Sequence, residues 1–109
     1  MTETEHVLLL RKGADVWNAW REANPSIRAD LREANLNGAN LQGTFLRGAD
    51  LRKANLNRAN LSRANLGSAM LTNANLSRAN FNEANLSAAD LTGSKIEPQL
   101  GELHRRNPV

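Results

Sequence analysis

From residue 29 to residue 93 the apolar and polar positions recur every five residues: ADLRE, ANLNG, ANLQG, TFLRG, ADLRK, ANLNR, ANLSR, ANLGS, AMLTN, ANLSR, ANFNE, ANLSA and ADLTG, then the weaker SKIEP. Neither regular element accommodates this spacing. On an α-helix five residues turn by about 500°, so Leu31, Leu36 and Leu41 would drift by about 140° per step and share no face. On a strand an odd step throws successive leucines to opposite faces. A short extended piece of about three residues followed by a corner, repeated, turns every leucine toward one axis. The chain is therefore expected to coil into a solenoid.

Within a unit Ala29 and Leu31 face one way while Asp30 and Arg32 face the other. Alanine and leucine are predicted to go in and the polar residues out. The interior ladder would run through Leu31, Leu36, Leu41, Leu46, Leu51, Leu56, Leu61, Leu66, Leu71, Leu76, Phe81, Leu86, Leu91 and Ile96. Gly38, Gly43, Gly48 and Gly93 are suited to corners that need positive φ. The period alone leaves the number of corners per turn open, but the outward residues recur at twenty. Asp30, Asp50 and Asp90 do so, as do Arg32 and Arg52, Thr72 and Thr92, Asn37 and Asn57, and Arg58 and Arg78. Twenty residues make four units per turn.

With these residues in hand, the chain resembles the pentapeptide-repeat family, whose motif of alanine, Asn or Asp, leucine and two variable residues matches nearly every unit. The resemblance implies an all-β solenoid, a right-handed four-sided parallel β-helix, over residues 29–98. Departures are few: Thr44 for alanine, Phe45 and Met70 for Asn or Asp, and Phe81 for leucine, which is the family's usual alternative. Phe45 and Met70 are expected as exposed apolar side chains.

Residues 1–28 read as a helical cap. His6 to Lys12 suggests a short helix stopped at Gly13, and Asp15 can cap a second one that ends at Pro25. Val16, Trp17 and Trp20 are expected to form the lid that the first coil needs, because a parallel coil ends in unpaired backbone groups and bare leucines. The segment VWNAWREANPSI resembles leaders of bacterial, especially cyanobacterial-type, family members. At the other end Ile96, Leu100 and Leu103 suggest a thin cap or tail over residues 99–109. Both a monomer closed by that cap and a homodimer joined end to end fit this reading.

Composition then narrows the chemistry. The chain has 109 residues, 40% of them apolar, with four aromatics and no cysteine. One elongated domain follows, without disulfides or thiolate chemistry. The apolar run Val7 to Leu10 is far too short for a membrane span or a signal core, so a cytoplasmic protein is expected. His6 and His104 lie at opposite ends of the chain, and no catalytic, metal or cofactor site is expected. Asp30 and Asp50 would stack, with Arg32 and Arg52 placed to neutralise them.

The resemblance also implies a rival function, because some family members mimic duplex DNA and bind type II topoisomerases. Residues 29–98 hold six acids against eight bases, a net +2, where duplex DNA of the rod's length carries about nine negative charges. That field is missing. Lys53, Arg58, Arg63 and Arg78 form a candidate basic ridge, but no aromatic is interleaved for base stacking, so direct nucleic-acid binding is not expected. The sequence reads as a non-enzymatic rigid scaffold or interaction module for an unnamed protein partner.

Overall fold

The computed structural model describes residues 3–97; the expected cap over 99–109 lies outside the described residues. Two helices open the chain, α1 (Glu3–Arg11) and α2 (Ala14–Ala23), and pentads follow. Ten parallel bridges link each pentad to the one twenty residues on, from Asp30 with Asp50 to Asn75 with Lys95. Four pentads therefore complete one coil. The extended pieces are shorter than the period suggests: each pentad contributes one bridging residue, its second, and no longer strand forms among the described residues.

In an inner pentad that carries Asn or Asp at its second position every backbone N–H has a partner, and the accounting explains the motif. In residues 59–63, Ala59 N–H closes the corner on Leu56 O at 3.0 Å and Asn60 N–H reaches down to Ala39 O at 2.9 Å. Leu61 and Arg63 N–H reach up to Asn80 O at 2.7 Å and Asn82 O at 2.9 Å. The remaining donor, Ser62 N–H, has no coil to reach, and the Asn60 side chain accepts it through Oδ1 at 3.0 Å. Asn35, Asn40, Asn55, Asn65, Asn75, Asn80 and Asn85 do the same two residues on, and so do Asp30, Asp50 and Asp90. The motif's Asn or Asp is thus a backbone partner, which corrects its reading as simply outward. Asn60→Ala is expected to cost about 1–3 kcal/mol, because Ser62 N–H and the Ser62 hydroxyl both lose their acceptor, whereas Asn60→Asp retains most of the stability. Chemical denaturation of the two variants checks this.

The corners carry the second departure from expectation. Positive φ extends beyond the glycines: Glu33, Lys53, Arg58, Arg63, Ser68, Asn73, Arg78, Glu83 and Ala88 all hold φ between 57° and 62°. A left-handed non-glycine residue costs about 1–2 kcal/mol. For Glu33, Lys53, Arg58, Arg63, Ser68, Asn73 and Arg78 a ladder bond from the N–H, such as Arg58 to Ser77 O at 2.9 Å, helps to offset that cost.

Inside, the leucines from Leu31 to Leu76 stack at 0–2% exposure, with most motif alanines between them. Thr44 takes an alanine place at 1% exposure because its hydroxyl donates to Leu41 O at 2.7 Å. The ladder loosens toward its far end, where Phe81, Leu86 and Leu91 are half-buried. Ile96 departs from the interior assignment: it is 56% exposed, since the last partial coil has no further pentad stacked on it among the described residues. Met70 is half-buried where it was expected exposed, being bridged on both sides, whereas Phe45 is exposed as expected.

Candidate functional site

Two regions carry the polar chemistry of this rod, its corners and its lid. The lid substitutes side chains for the missing coil. Trp17 is fully buried and donates its indole N–H to Phe45 O at 2.9 Å. Asn18 accepts Phe45 N–H at 2.8 Å and donates to Gly43 O at 3.0 Å. His6 accepts Asp30 N–H on Nδ1 at 2.8 Å, and the Arg11 guanidinium donates to Asn35 O. Leu10 supplies the apolar contact, at 1% exposure.

Trp20 packs half-buried against Trp17 at 5.3 Å between centroids, under the Arg21 guanidinium. Val16, expected in this lid, is instead 44% exposed. Asp15 is no cap either, since Gly13 occupies the N-cap position with no side-chain bond. The sequence reading overlooked His6, Leu10 and Asn18. The available signal was the spacing of four between His6 and Leu10, which puts both on one face of α1.

The four basic residues of the candidate ridge all occupy fifth positions of their pentads, so each projects from a corner. They fall on three different corners. Arg58 and Arg78 stack one coil apart on one corner, exposed and without a side-chain partner among the described residues. Arg63 stands on the next corner and pairs with Glu83 at 2.9 Å, which raises the arginine's pKa through that hydrogen bond. Lys53 stands on a third, in a column with Glu33 and Asn73. The structure thus brings together Arg58 and Arg78 and separates them from the other two.

The acidic column is neutralised from its own face. Arg32 forks onto Asp30 and Arg52 onto Asp50, each through two bonds of 2.8–2.9 Å, and Arg32 lies 3.8 Å from Asp50. The hydrogen bond from Arg32 holds the Asp30 carboxyl below its ordinary range. For Asp50 burial pushes upward, but the bonds from Arg52 outweigh it and the carboxyl also sits low. Asp50 is 6% exposed while Arg52 stays on the surface, so the fork covers a buried carboxylate with an exposed guanidinium and is structural. Among the described residues no group of three or more His, Asp or Glu side chains is arranged to hold a metal ion.

The family model described as pentapeptide repeats (8 copies) matches the chain twice, over residues 29–67 and 59–97. The chain belongs to the pentapeptide-repeat family. Members of this family fold as right-handed quadrilateral β-helices. Among solved structures the pentapeptide-repeat chain is similar to a pentapeptide repeat protein from the cyanobacterium Cyanothece 51142, with 38% identity, 62% of this chain and 43% of that one covered, and a TM-score of 0.44. It is similar to HetL, a pentapeptide repeat protein involved in heterocyst differentiation regulation from the cyanobacterium Nostoc sp. strain PCC 7120, with 38% identity, coverages of 62% and 35%, and a TM-score of 0.34. A further pentapeptide repeat protein of Nostoc PCC 7120 matches at 28% identity, coverages of 72% and 93%, and a TM-score of 0.26. The chain thus spans less than half the length of the first two. No curated protein matches it. No helix among the described residues is long and apolar enough to cross a membrane.

Proposed function

We propose that this chain is a non-enzymatic cytoplasmic scaffold, a right-handed four-sided β-solenoid that presents one basic corner to an acidic protein partner. The observation that carries the reading is the stacked pair Arg58 and Arg78. Stacked pentads lie about 4.8 Å apart, so two cations stand on one corner beside the column Asn35, Asn55, Asn75 and Lys95, which holds no acid. Arg32, Arg52 and Arg63 each have a carboxylate on the rod itself; the corner pair has none among the described residues. A carboxylate-rich surface supplies that missing charge and gains steered association from it. The rival role, a DNA-like decoy for a type II topoisomerase, is disfavoured by the arginine forks, which cancel the charge of Asp30 and Asp50.

The test compares retention from native host extract on immobilised wild-type chain and on the double variant Arg58→Glu, Arg78→Glu. Both residues are exposed, so melting is expected to shift by less than about 0.5 kcal/mol per site. A partner held by the wild type, released by moderate salt and absent from the variant is the expected result. Equal retention by both, or retention indifferent to salt, sinks the reading.

A further inference from the structure

The first coil of the solenoid has unpaired backbone donors on its lower edge, and the donor of Asp30 is met by a titratable side chain. His6 is 2% exposed, and its Nδ1 accepts the Asp30 N–H at 2.8 Å. A ring nitrogen accepts only when it carries no proton, so the bound ring is neutral with its hydrogen on Nε2. That Nε2 is buried without a hydrogen-bond partner, and the ring lies 5.0 Å from the Trp20 ring. A second proton has one place to go, Nδ1, where it points at the Asp30 N–H. Donor then faces donor, the Asp30 amide loses its acceptor, and a full charge sits in a closed site with no bond to Nε2.

We propose that His6 is an acid-sensitive latch: protonation of its ring breaks the hold of α1 on the first coil and releases the helical lid from that end of the rod. The charged groups around the ring divide. Asp30 on the coil and Glu5 on α1 favour the charged form, whereas Arg21 on α2 opposes it. Burial is the largest influence and leaves the histidine below its ordinary value of 6.5. The sign follows. A released ring titrates near 6.5, so the latched state keeps its full stability above that pH and loses it as the pH falls toward and through the lower latched value. Asp30 stays ionised over this window, because Arg32 holds it below the usual carboxylate range.

Both tryptophans of the chain lie in α2, so the position of the tryptophan emission band reports the lid. Emission maxima are followed from about pH 7.5 to about pH 4.5 on the full chain and on His6→Asn and His104→Asn. Asparagine keeps an acceptor and does not titrate. Wild type and His104→Asn are expected to shift to the red with a one-proton midpoint below about 6.5 and to recover on neutralisation, while His6→Asn stays flat. No shift in the wild type, or the same shift in His6→Asn, overturns the latch. Should His6→Asn already be red-shifted at neutral pH, the wild type decides through NMR. The Asp30 amide must lose its exchange protection as the His6 ring titrates, and an amide that stays protected beside a charged ring overturns the proposal.

Discussion

Leu61→Lys is expected to unfold the chain under conditions in which Ser87→Lys leaves it intact. Leu61 has 0% exposure and lies between Leu41 one coil below and Phe81 one coil above. The ladder is about one leucine wide, and its interior offers no carboxylate: the acids on the rod face outward or fork with arginines. An ammonium there has neither water nor a counter-charge, a substitution costing several kcal/mol, against a total stability of about 5–15 kcal/mol for an ordinary domain. Ser87 is exposed and bonds only through its backbone, donating its N–H to Asn85 Oδ1 and accepting Ser68 N–H on its carbonyl, both of which lysine supplies equally well. Its replacement is expected within about 0.5 kcal/mol. Thermal and urea melts of both variants check the pair, and a wild-type melting curve for Leu61→Lys would show the inward assignment to be wrong.

Removing residues 1–25 should drive the rod into head-to-tail assemblies. The deletion strips Leu10 and Trp17 from the first coil, uncovering Leu31, Leu36, Leu41 and Leu46, and it frees Asp30 N–H, Phe45 N–H and Phe45 O from their side-chain partners. The opposite end already shows half-buried Phe81, Leu86 and Leu91 and an exposed Ile96. Because every coil stacks on the next by the same bonds at a step of twenty, a bare first coil offers another copy's last coil that same register. Such a head-to-tail contact does not close on itself, so filaments or large aggregates follow. The milder variant Trp17→Ala is expected to cost about 3–5 kcal/mol, since it empties the largest buried side chain and leaves Phe45 O unpaired. Sedimentation velocity over a range of concentrations gives the answer. A truncated chain that stays monomeric and melts with the wild type would reduce the helices to an appendage.

The coil was legible in the sequence because its physics is local and repeated. A period of five excludes helix and flat strand, and a second period of twenty, written in Asp30 and Asp50 or Arg58 and Arg78, counts four pentads per turn, as the bridges do. The Asn and Asp positions were visible as a column but not as bonds, because whether an amide faces water or folds back onto the N–H two residues later depends on a corner geometry that the letters do not encode. The same holds for positive φ at Arg58 or Arg63, where ladder bonds outweigh a local preference against it.

The lid was legible only as a pair of helices with two tryptophans. Which face of α2 turns inward is decided by contact with a coil edge more than twenty residues away, so Val16 was misplaced while His6 and Asn18 went unnoticed. The ridge divided for a related reason: Lys53, Arg58, Arg63 and Arg78 share one position in the pentad, yet the fourfold path sends them to three corners, where only Arg58 and Arg78 stack and Arg63 meets Glu83. By itself, then, the sequence determined the repeat, the stacking step and the inward residues, since these follow from the period. Tertiary structure alone decided which backbone donors at the end of the coil were met by side chains and which charges remained unpaired, since those depend on residues that are distant in the chain and meet only when it coils.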